Sequence, residues 1–374
     1  MIVASSTPIQ GANSIESWLT TRSGGPGTPG AVILHAPSFA FQTPGGGENQ
    51  LIQTGMHLEE LGVPIRLYSP WTDRLETGRL LHLFGMSREG LELARIARAR
   101  RVPVVLSPIC WYEPRALVAL EADPTRRLLG LAAWGLRSLV PAVPSWRREL
   151  LKLADIVLPN SRAEANQLMR LFGVARARIR VVPNGVLPSL ALACPEPFRA
   201  EWGADPFVLF VGRVEPRKNT LGLIGAMRRL GLPLVVIGEA PADSERYMDE
   251  CRRVGGERVS WLGRLDHHDP LLASAYAAAR VFALPSWFET PGLAALEAAL
   301  AGCSIAITPY GSTRDYFGEL VNYARPDRPA EIGRAVLKCW DDGPDPRLSR
   351  RIATHFVWPK VARITAEVYD QVAR

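Results

Sequence analysis

Short apolar runs alternate with longer amphipathic segments along most of this chain. AVILH (31–35), PIRLYS (64–69), LLHLF (80–84), VPVVL (102–106), ADIVLP (154–159) and IRVVP (179–183) read as strands. Helical periodicity separates them: a segment from about Glu48, the run REGLELARIARARR with Ser87 as its cap, and RAEANQLMRLFG. Near-continuous apolar runs linked by helices are the pattern of a parallel sheet covered on both faces. Residues 185–206 carry scattered Pro and Gly with no clean period and read as a linker. The alternation then restarts with strands PFVLFVG, PLVVIG, RVSWLG, VFALPS and CSIAITP. Between these strands the helices NTLGLIGAMRRL, 245–254, LLASAYAAAR and PGLAALEAALAG are predicted, and Trp358 to Ala373 predicts one more after the second half. The expected architecture is α/β, with two doubly wound, Rossmann-like halves at 1–186 and 187–356 and a last helix at 357–374. Open parallel sheets bind ligands beyond the carboxyl ends of their strands, so the residues just after strands are the candidates.

Composition agrees with this picture and narrows the partners. A length of 374 residues suits two domains, and 47% hydrophobic with 22% charged residues excludes wholesale disorder. The 44 Lys and Arg against 37 Asp and Glu leave a formal charge of +7, which suits an anionic partner. Five scattered cysteines (Cys110, Cys194, Cys251, Cys303, Cys339) form no Cys-x-x-Cys pair, so a disulfide scaffold or zinc ribbon is not expected and a reducing, cytoplasmic location is. MIVASSTPIQ has no basic n-region, and Leu128 to Pro144 is interrupted by Arg137 and Pro141, so neither a secretory signal nor a membrane span is expected.

Three constellations stand at strand ends. TPGGGENQ brings Gly45, Gly46 and Gly47 into a helix start, where amides and dipole favour negative charge; the alternative is a plain surface loop. It is neither the dinucleotide fingerprint nor a P-loop. FVGRVEPRKN puts Arg213 and Lys218 in one loop, where two cations can converge on a diphosphate, while Arg217 reads as part of a solvated basic turn. In SWFETPGLAALEAALAGC, Thr290 suits an N-cap and Pro291 the first helical position, which sets Glu289 at the helix mouth and Glu297 inside an apolar helix. With a diphosphate on that N-terminus, Glu289 could accept from sugar hydroxyls and Glu297 from ribose hydroxyls. A buried carboxylate without a partner would otherwise be costly.

The joint pattern of NSRAEANQLMRLFGV, IRVVPNGV, FVGRVEPRKN and Glu289-x7-Glu297 resembles the retaining glycosyltransferases of family 4, which have the GT-B fold. The resemblance covers most of residues 30–374 and is strongest from Asp155 to Gly311. It implies a metal-independent hexosyltransferase without a cofactor, using a nucleotide-diphosphate-sugar and a glycan or lipid-linked acceptor of the cell-surface polysaccharide type. It further implies that Arg213 and Lys218 clamp the donor diphosphate, Glu297 holds the ribose, and Glu289 contacts the donor sugar. The amides around Gly292 and Leu293 would assist, Gly46 and Gly47 would meet phosphate or acceptor across the cleft, and the last helix would return to the first domain. The leaving phosphate would take the acceptor proton on the same face, so Glu289 and Glu297 would not act as a glycosidase pair.

The sequence departs from the family at Ile109, Cys110, Trp111 and Tyr112, where a His near the donor sugar is common, and it lacks the Asp that often follows Pro-Asn-Gly-Val. Rival readings are a non-catalytic nucleotide-sugar-binding protein, a nucleotide-sugar epimerase and a phosphorylase; a nicotinamide dehydrogenase lacks its glycine turn. His82, in an apolar strand, reads as a satisfied core residue. Asp266, His267, His268 and Asp269 read as loop and N-cap, with no metal expected. Pro124 to Arg148 holds five arginines, two tryptophans, several leucines and no acidic residue. Either its apolar side packs on the first half with the arginines in water, or the segment lies on an anionic membrane surface at the inner face. Nucleic acid is not expected as a partner, since no basic–aromatic reader motif is present.

Overall fold

The computed structural model describes residues 12–22, 29–38, 40–42 and 45–373. The start MIVASSTPIQ, and Thr43 and Pro44 of the glycine motif, lie outside the described residues. The described residues form two all-parallel sheets, each flanked by helices.

The first sheet holds β1 (Val32–His35), β2 (Ile65–Leu67), β3 (Leu80–Phe84), β4 (Val104–Ser107) and β5 (Ile156–Val157), in the order β2-β1-β3-β4-β5. The second holds β6 (Val208–Val211), β7 (Leu234–Ile237), β8 (Val259–Trp261), β9 (Val281–Leu284), β10 (Ser304–Ile307) and β11 (Asn322–Tyr323), in the order β11-β10-β9-β6-β7-β8. Nearly every side chain in the longer strands is buried, because helices cover both faces, and this is why the strands read as unbroken apolar runs. The strand order reverses between β1 and β3 in the first sheet and between β6 and β9 in the second. Those reversals open the crevices that receive ligands in such sheets.

Two sequence readings need correction here. IRVVP makes only a bridge from Ile179 to Val157, since the chain there is already leaving the edge of the first sheet. Residues 185–206 are not an open linker: a 3-10 turn at Pro188–Leu192 and a helix at Glu196–Trp202 dock on the second half, and Phe198 is fully buried. Residues 114–153 fold into three helices, Pro114–Leu120, Pro124–Leu139 and Trp146–Leu153.

The helix Trp358–Val372 packs on the helix Gly46–Glu60 of the first half. Its Tyr369 hydroxyl lies 2.6 Å from His82 Nδ1, and Ser107 Oγ lies 2.9 Å from His82 Nε2. His82 is therefore a satisfied core residue, and burial brings its pKa down to about 3. The chain crosses between the halves twice, side by side. Val186 and Val357 form a parallel bridge, and a Cβ at Gly185 would lie 2.5 Å from the Trp358 nitrogen. The Pro-Asn-Gly turn thus needs its glycine for close backbone approach.

Candidate active site

The loops that follow β6 and β9, the two strands at the reversal of the second sheet, carry Lys218 and Glu289. Lys218 Nζ lies 2.7 Å from Glu289 Oε1, and both side chains are largely buried. Arg217 NH1 stands 3.9 Å from the same oxygen. Burial alone would raise the Glu289 carboxyl, but Lys218 and Arg217 together hold it below the ordinary carboxylate value. Burial pulls the Lys218 ammonium below its ordinary value, and Glu289 offsets this only in part. Arg213 is half-exposed, with NH2 3.6 Å from Glu215.

Arg217 is not a solvated turn residue. Its guanidinium lies 2.9 Å from Glu215 Oε1, donates to the Phe288 carbonyl and sits over the Phe288 ring, while its own carbonyl accepts from the Trp287 amide. The two loops are therefore tied together through Arg217, and Lys218 inherits its position from that tie.

The helix after Glu289 begins at Leu293, with Gly292 as its cap at φ +89°, so Thr290 is not the N-cap and Pro291 is not the first helical residue. Tertiary pairing overrides the local signal. The Glu289 amide donates to the Tyr310 carbonyl, the Ser312 amide donates to the Glu289 carbonyl, and Glu289 forms a bridge with Gly311. This holds the backbone extended where a helix start reads well in sequence. Gly311 has φ +93°, and a Cβ on it would fall 2.0 Å from the Glu289 carbonyl oxygen, so only glycine lets this loop clamp Glu289.

Glu297 is the fifth residue of that helix and is buried. The Tyr276 hydroxyl donates to its Oε2 at 2.8 Å, and His267 Nε2 lies 3.4 Å from its Oε1. Asp269 does cap the helix Pro270–Ala278, but His267 does more than fill a loop: the same Nε2 lies 3.3 Å from Asn49 Nδ2, in the first half. Neither Tyr276 nor His267 was singled out for Glu297 from sequence. The only hint was the isolated charge in an apolar helix, which demands partners.

On the facing side, the helix Gly46–Glu60 starts at the glycine motif, and Glu48 accepts from the Gly45 amide at 2.8 Å. A Cβ on Gly46 would lie 3.6 Å from Leu293, and one on Gly47 would lie 3.4 Å from Ile109. Gly46 thus faces Leu293, Gly292 borders Glu289 and its partner Lys218, and His267 links Glu297 to the Gly46–Glu60 helix.

Below the β4 loop, Glu164 is buried and accepts the Cys110 and Asn160 amides at 2.7 Å each. Desolvation pushes its pKa up to about 7 against those two hydrogen bonds. It fixes Cys110, in the stretch where the family His is replaced. Burial pushes the Cys110 thiol up to about 12, so it is no nucleophile at neutral pH. The halves meet beside it: Ser161 Oγ lies 2.8 Å from Ser312 Oγ, and the Tyr316 hydroxyl donates to the Asn160 carbonyl while accepting from the Asn184 amide.

The family model "Glycosyl transferases group 1" matches residues 205–342, and "Glycosyl transferase 4-like domain" matches residues 19–185. A glycogen synthase of Mycobacterium tuberculosis (strain ATCC 25618 / H37Rv) is 30% identical over 272 residues, 69% of this chain and 64% of that protein. A D-inositol 3-phosphate glycosyltransferase of Xylanimonas cellulosilytica is 32% identical over 253 residues, 60% of this chain and 59% of that protein. The match thus spans about three-fifths of the length of these relatives. Among solved structures, the sucrose-phosphate synthase of Thermosynechococcus elongatus superposes with a TM-score of 0.71 at 20% identity, covering 91% of this chain and 98% of that one. Anabaena HepE in complex with UDP and glucose gives a TM-score of 0.65 at 18% identity, covering 92% and 100%. These likenesses identify the fold as GT-B.

Proposed function

We propose that this chain, which belongs to the group 1 glycosyltransferases of family 4, moves a hexose-type sugar from a nucleoside-diphosphate donor to a glycan or lipid-linked acceptor, with retention and without a metal. The observation that carries this reading is the buried Lys218–Glu289 pair at 2.7 Å where the strand order of the second sheet reverses. A leaving diphosphate needs positive charge that is already in position, since the gain lies in electrostatics that need not reorganise. Lys218, Arg213 and the amides at Gly292 and Leu293 supply it from one side of the cleft. The amides of the helix beginning at Gly46 face them from the other. Glu297, in a separate buried position, is suited to accept from ribose hydroxyls. Glu289 is suited to those of the sugar once Lys218 turns to phosphate.

Among the described residues, no group of three His, Cys, Asp or Glu side chains stands close enough to hold a metal ion. Lys218 and Arg213 are suited to neutralise the phosphates. The donor oxygen released as the glycosidic bond breaks would take the acceptor proton on the same face of the sugar. Positioning and charge stabilisation are then the protein's contribution. Anabaena HepE was solved in complex with UDP and glucose, which makes UDP-sugars the first donors to try.

The test is a panel of UDP-, GDP- and ADP-sugars, read by thermal shift and by nucleotide release with candidate acceptors. At least one donor is expected to stabilise the chain, and Glu297→Ala should weaken that donor at least tenfold. Arg334→Ala, on an exposed helix face, should leave it unchanged. No donor bound, or equal effects of the two variants, overturns the site. Binding without turnover on any acceptor would favour the non-catalytic reading. The anomeric configuration of the product, read by NMR, tests retention.

A further inference from the structure

The helix Pro124–Leu139 has no buried residue, although half of its side chains are apolar. Leu128 is 69% exposed, Leu129 64%, Leu136 52%, Leu139 84% and the following Val140 47%. At about 100° per residue, positions 128, 139, 132, 136, 129 and 140 fall in that order within one arc of roughly 120°. No charged residue interrupts this arc. Arg126 and Arg137 follow its Val140 edge, whereas Arg127 lies on the opposite, packing side of the helix beside Trp134. The opposite face is the one that packs: a Cβ on Gly130 would lie 2.6 Å from Leu117, and Trp134 packs on the first core with Arg170 over its ring. This reverses the arrangement in which the leucines face inward and the arginines face water. Arg127 and Arg148 spend their guanidinium groups partly on the carbonyls of Glu121 and Pro141, while the leucines point out.

We infer that this outward face docks on an anionic lipid bilayer, with the leucines in the acyl boundary and the arginines along its Val140 edge, Arg126 foremost, at the headgroups. An apolar arc bordered by arginines is the pattern of a helix lying in a membrane interface. Charge complementarity selects anionic lipid: Pro124 to Arg148 contains five arginines and no acidic residue. The helix that carries this face is linked to the Lys218 turn through its packing side. The neighbouring helix Pro114–Leu120 packs on both this helix and the turn Pro216–Lys218, and Arg115 sits over the ring of Tyr310. A bilayer on this face would bring a lipid-linked acceptor alongside the first half. No helix of the described residues is long and apolar enough to cross a membrane, so contact would be interfacial. Docking needs no donor, and its failure would leave the transferase reading intact.

The experiment is co-sedimentation of the full chain with phosphatidylcholine vesicles, with and without 30% phosphatidylglycerol. The chain is expected to bind the anionic vesicles at least tenfold more tightly than the neutral ones, and less tightly in 0.5 M NaCl. L128Q/L139Q, at exposed positions, should weaken binding at least tenfold without lowering Tm. Leu192→Gln, an equally exposed leucine on the second half, should change nothing. Equal binding to both vesicle types overturns the inference, as does equal binding by L128Q/L139Q. A dimer by light scattering that L128Q/L139Q makes monomeric, with no vesicle binding, also overturns it and assigns the face to a second copy of the chain.

Discussion

In the second half, Glu289 is buried at the mouth of β9 with Lys218 at 2.7 Å and Arg217 at 3.9 Å. In the first half, Glu164 is as deeply buried under the β4 loop, but its partners are two backbone amides and, among the described residues, no cation. Both carboxylates lose water to a similar degree, so desolvation pushes both upward. The counter-charges reverse that push for Glu289, whereas the two amides leave Glu164 at about 7. Hydrogen bonds soften a buried charge; a facing cation fixes it. The Lys218–Glu289 side is thus built to remain ionised, and the seam that holds Glu164 can change its charge near neutral pH. The stability consequences have opposite signs. Glu289 contributes stability above the ordinary carboxylate range, and this is lost as pH falls through its lowered value. Glu164 costs stability as pH rises from that range through about 7.

The largest expected effect comes from taking the cation from Glu289. Lys218→Met leaves the carboxylate facing only Arg217, and breaking a buried pair by removing one partner costs about 3–5 kcal/mol. Urea unfolding should show a loss of that order, and calorimetric titration should show donor affinity reduced at least 100-fold. The double variant Lys218→Met with Glu289→Gln separates these roles. It should regain most of the stability, because no charge is stranded, yet remain defective in donor binding. If the double variant bound donor normally, Lys218 would be structural alone.

The same contrast explains what was legible in sequence. The sheets could be read because strands covered on both faces become apolar runs, and β3, β6 and β9 fell within the expected segments. Lys218, Glu289 and Glu297 stand out as candidates because charged residues just past strands, or alone in an apolar helix, break the local pattern. Their partners do not. Tyr276 and His267 are separated from Glu297 by 21 and 30 positions, and nothing local marks them. The start of the Leu293–Leu300 helix was misread because Pro291 satisfies local helix rules while pairing with the 310–312 loop holds the chain extended. Residues 114–153 were obscure because the leucines of the Pro124–Leu139 helix face outward, so periodicity could not say which side was core. Arg217 looked like surface because its contacts are carbonyls and a ring, which charge patterns do not reveal.

A smaller effect, of opposite sign to that of Glu289, is expected at the seam. Glu164→Gln removes the titrating charge, while its single amide oxygen can accept from only one of the Cys110 and Asn160 amides, a loss that does not depend on pH. Between pH 5 and pH 8 the native chain should lose about 2–3 kcal/mol relative to this variant, because the folded state binds the proton more tightly than the unfolded one. Thermal unfolding at pH 5, 6.5 and 8 reads the difference directly. The gap between the two curves should shift by that amount in the variant's favour as pH rises from 5 to 8, whatever constant offset the lost acceptor adds. Parallel curves would mean that the amides of Cys110 and Asn160 compensate the charge as well as a cation does, and the contrast with Glu289 would collapse.

The smallest effect is expected at Glu297, which stands between these cases: buried, with a hydroxyl at 2.8 Å and an imidazole nitrogen at 3.4 Å. Tyr276→Phe removes the hydroxyl but leaves His267 in place. A hydrogen bond to a charged group contributes about 1.5–3 kcal/mol, and the remaining imidazole should hold the loss to the lower end of that range. His267 Nε2 has two claims on it, since it can donate to Glu297 or accept from Asn49 Nδ2, but not both in one tautomer. Without Tyr276, the balance shifts toward Glu297 and away from the first half. Donor KM should therefore rise about 2–5-fold with kcat nearly unchanged, because Glu297 is expected to hold a part of the donor remote from the breaking bond. An equal fall in kcat with KM constant would instead put Glu297 at the reacting sugar, and the division of roles between the two glutamates would have to be reversed.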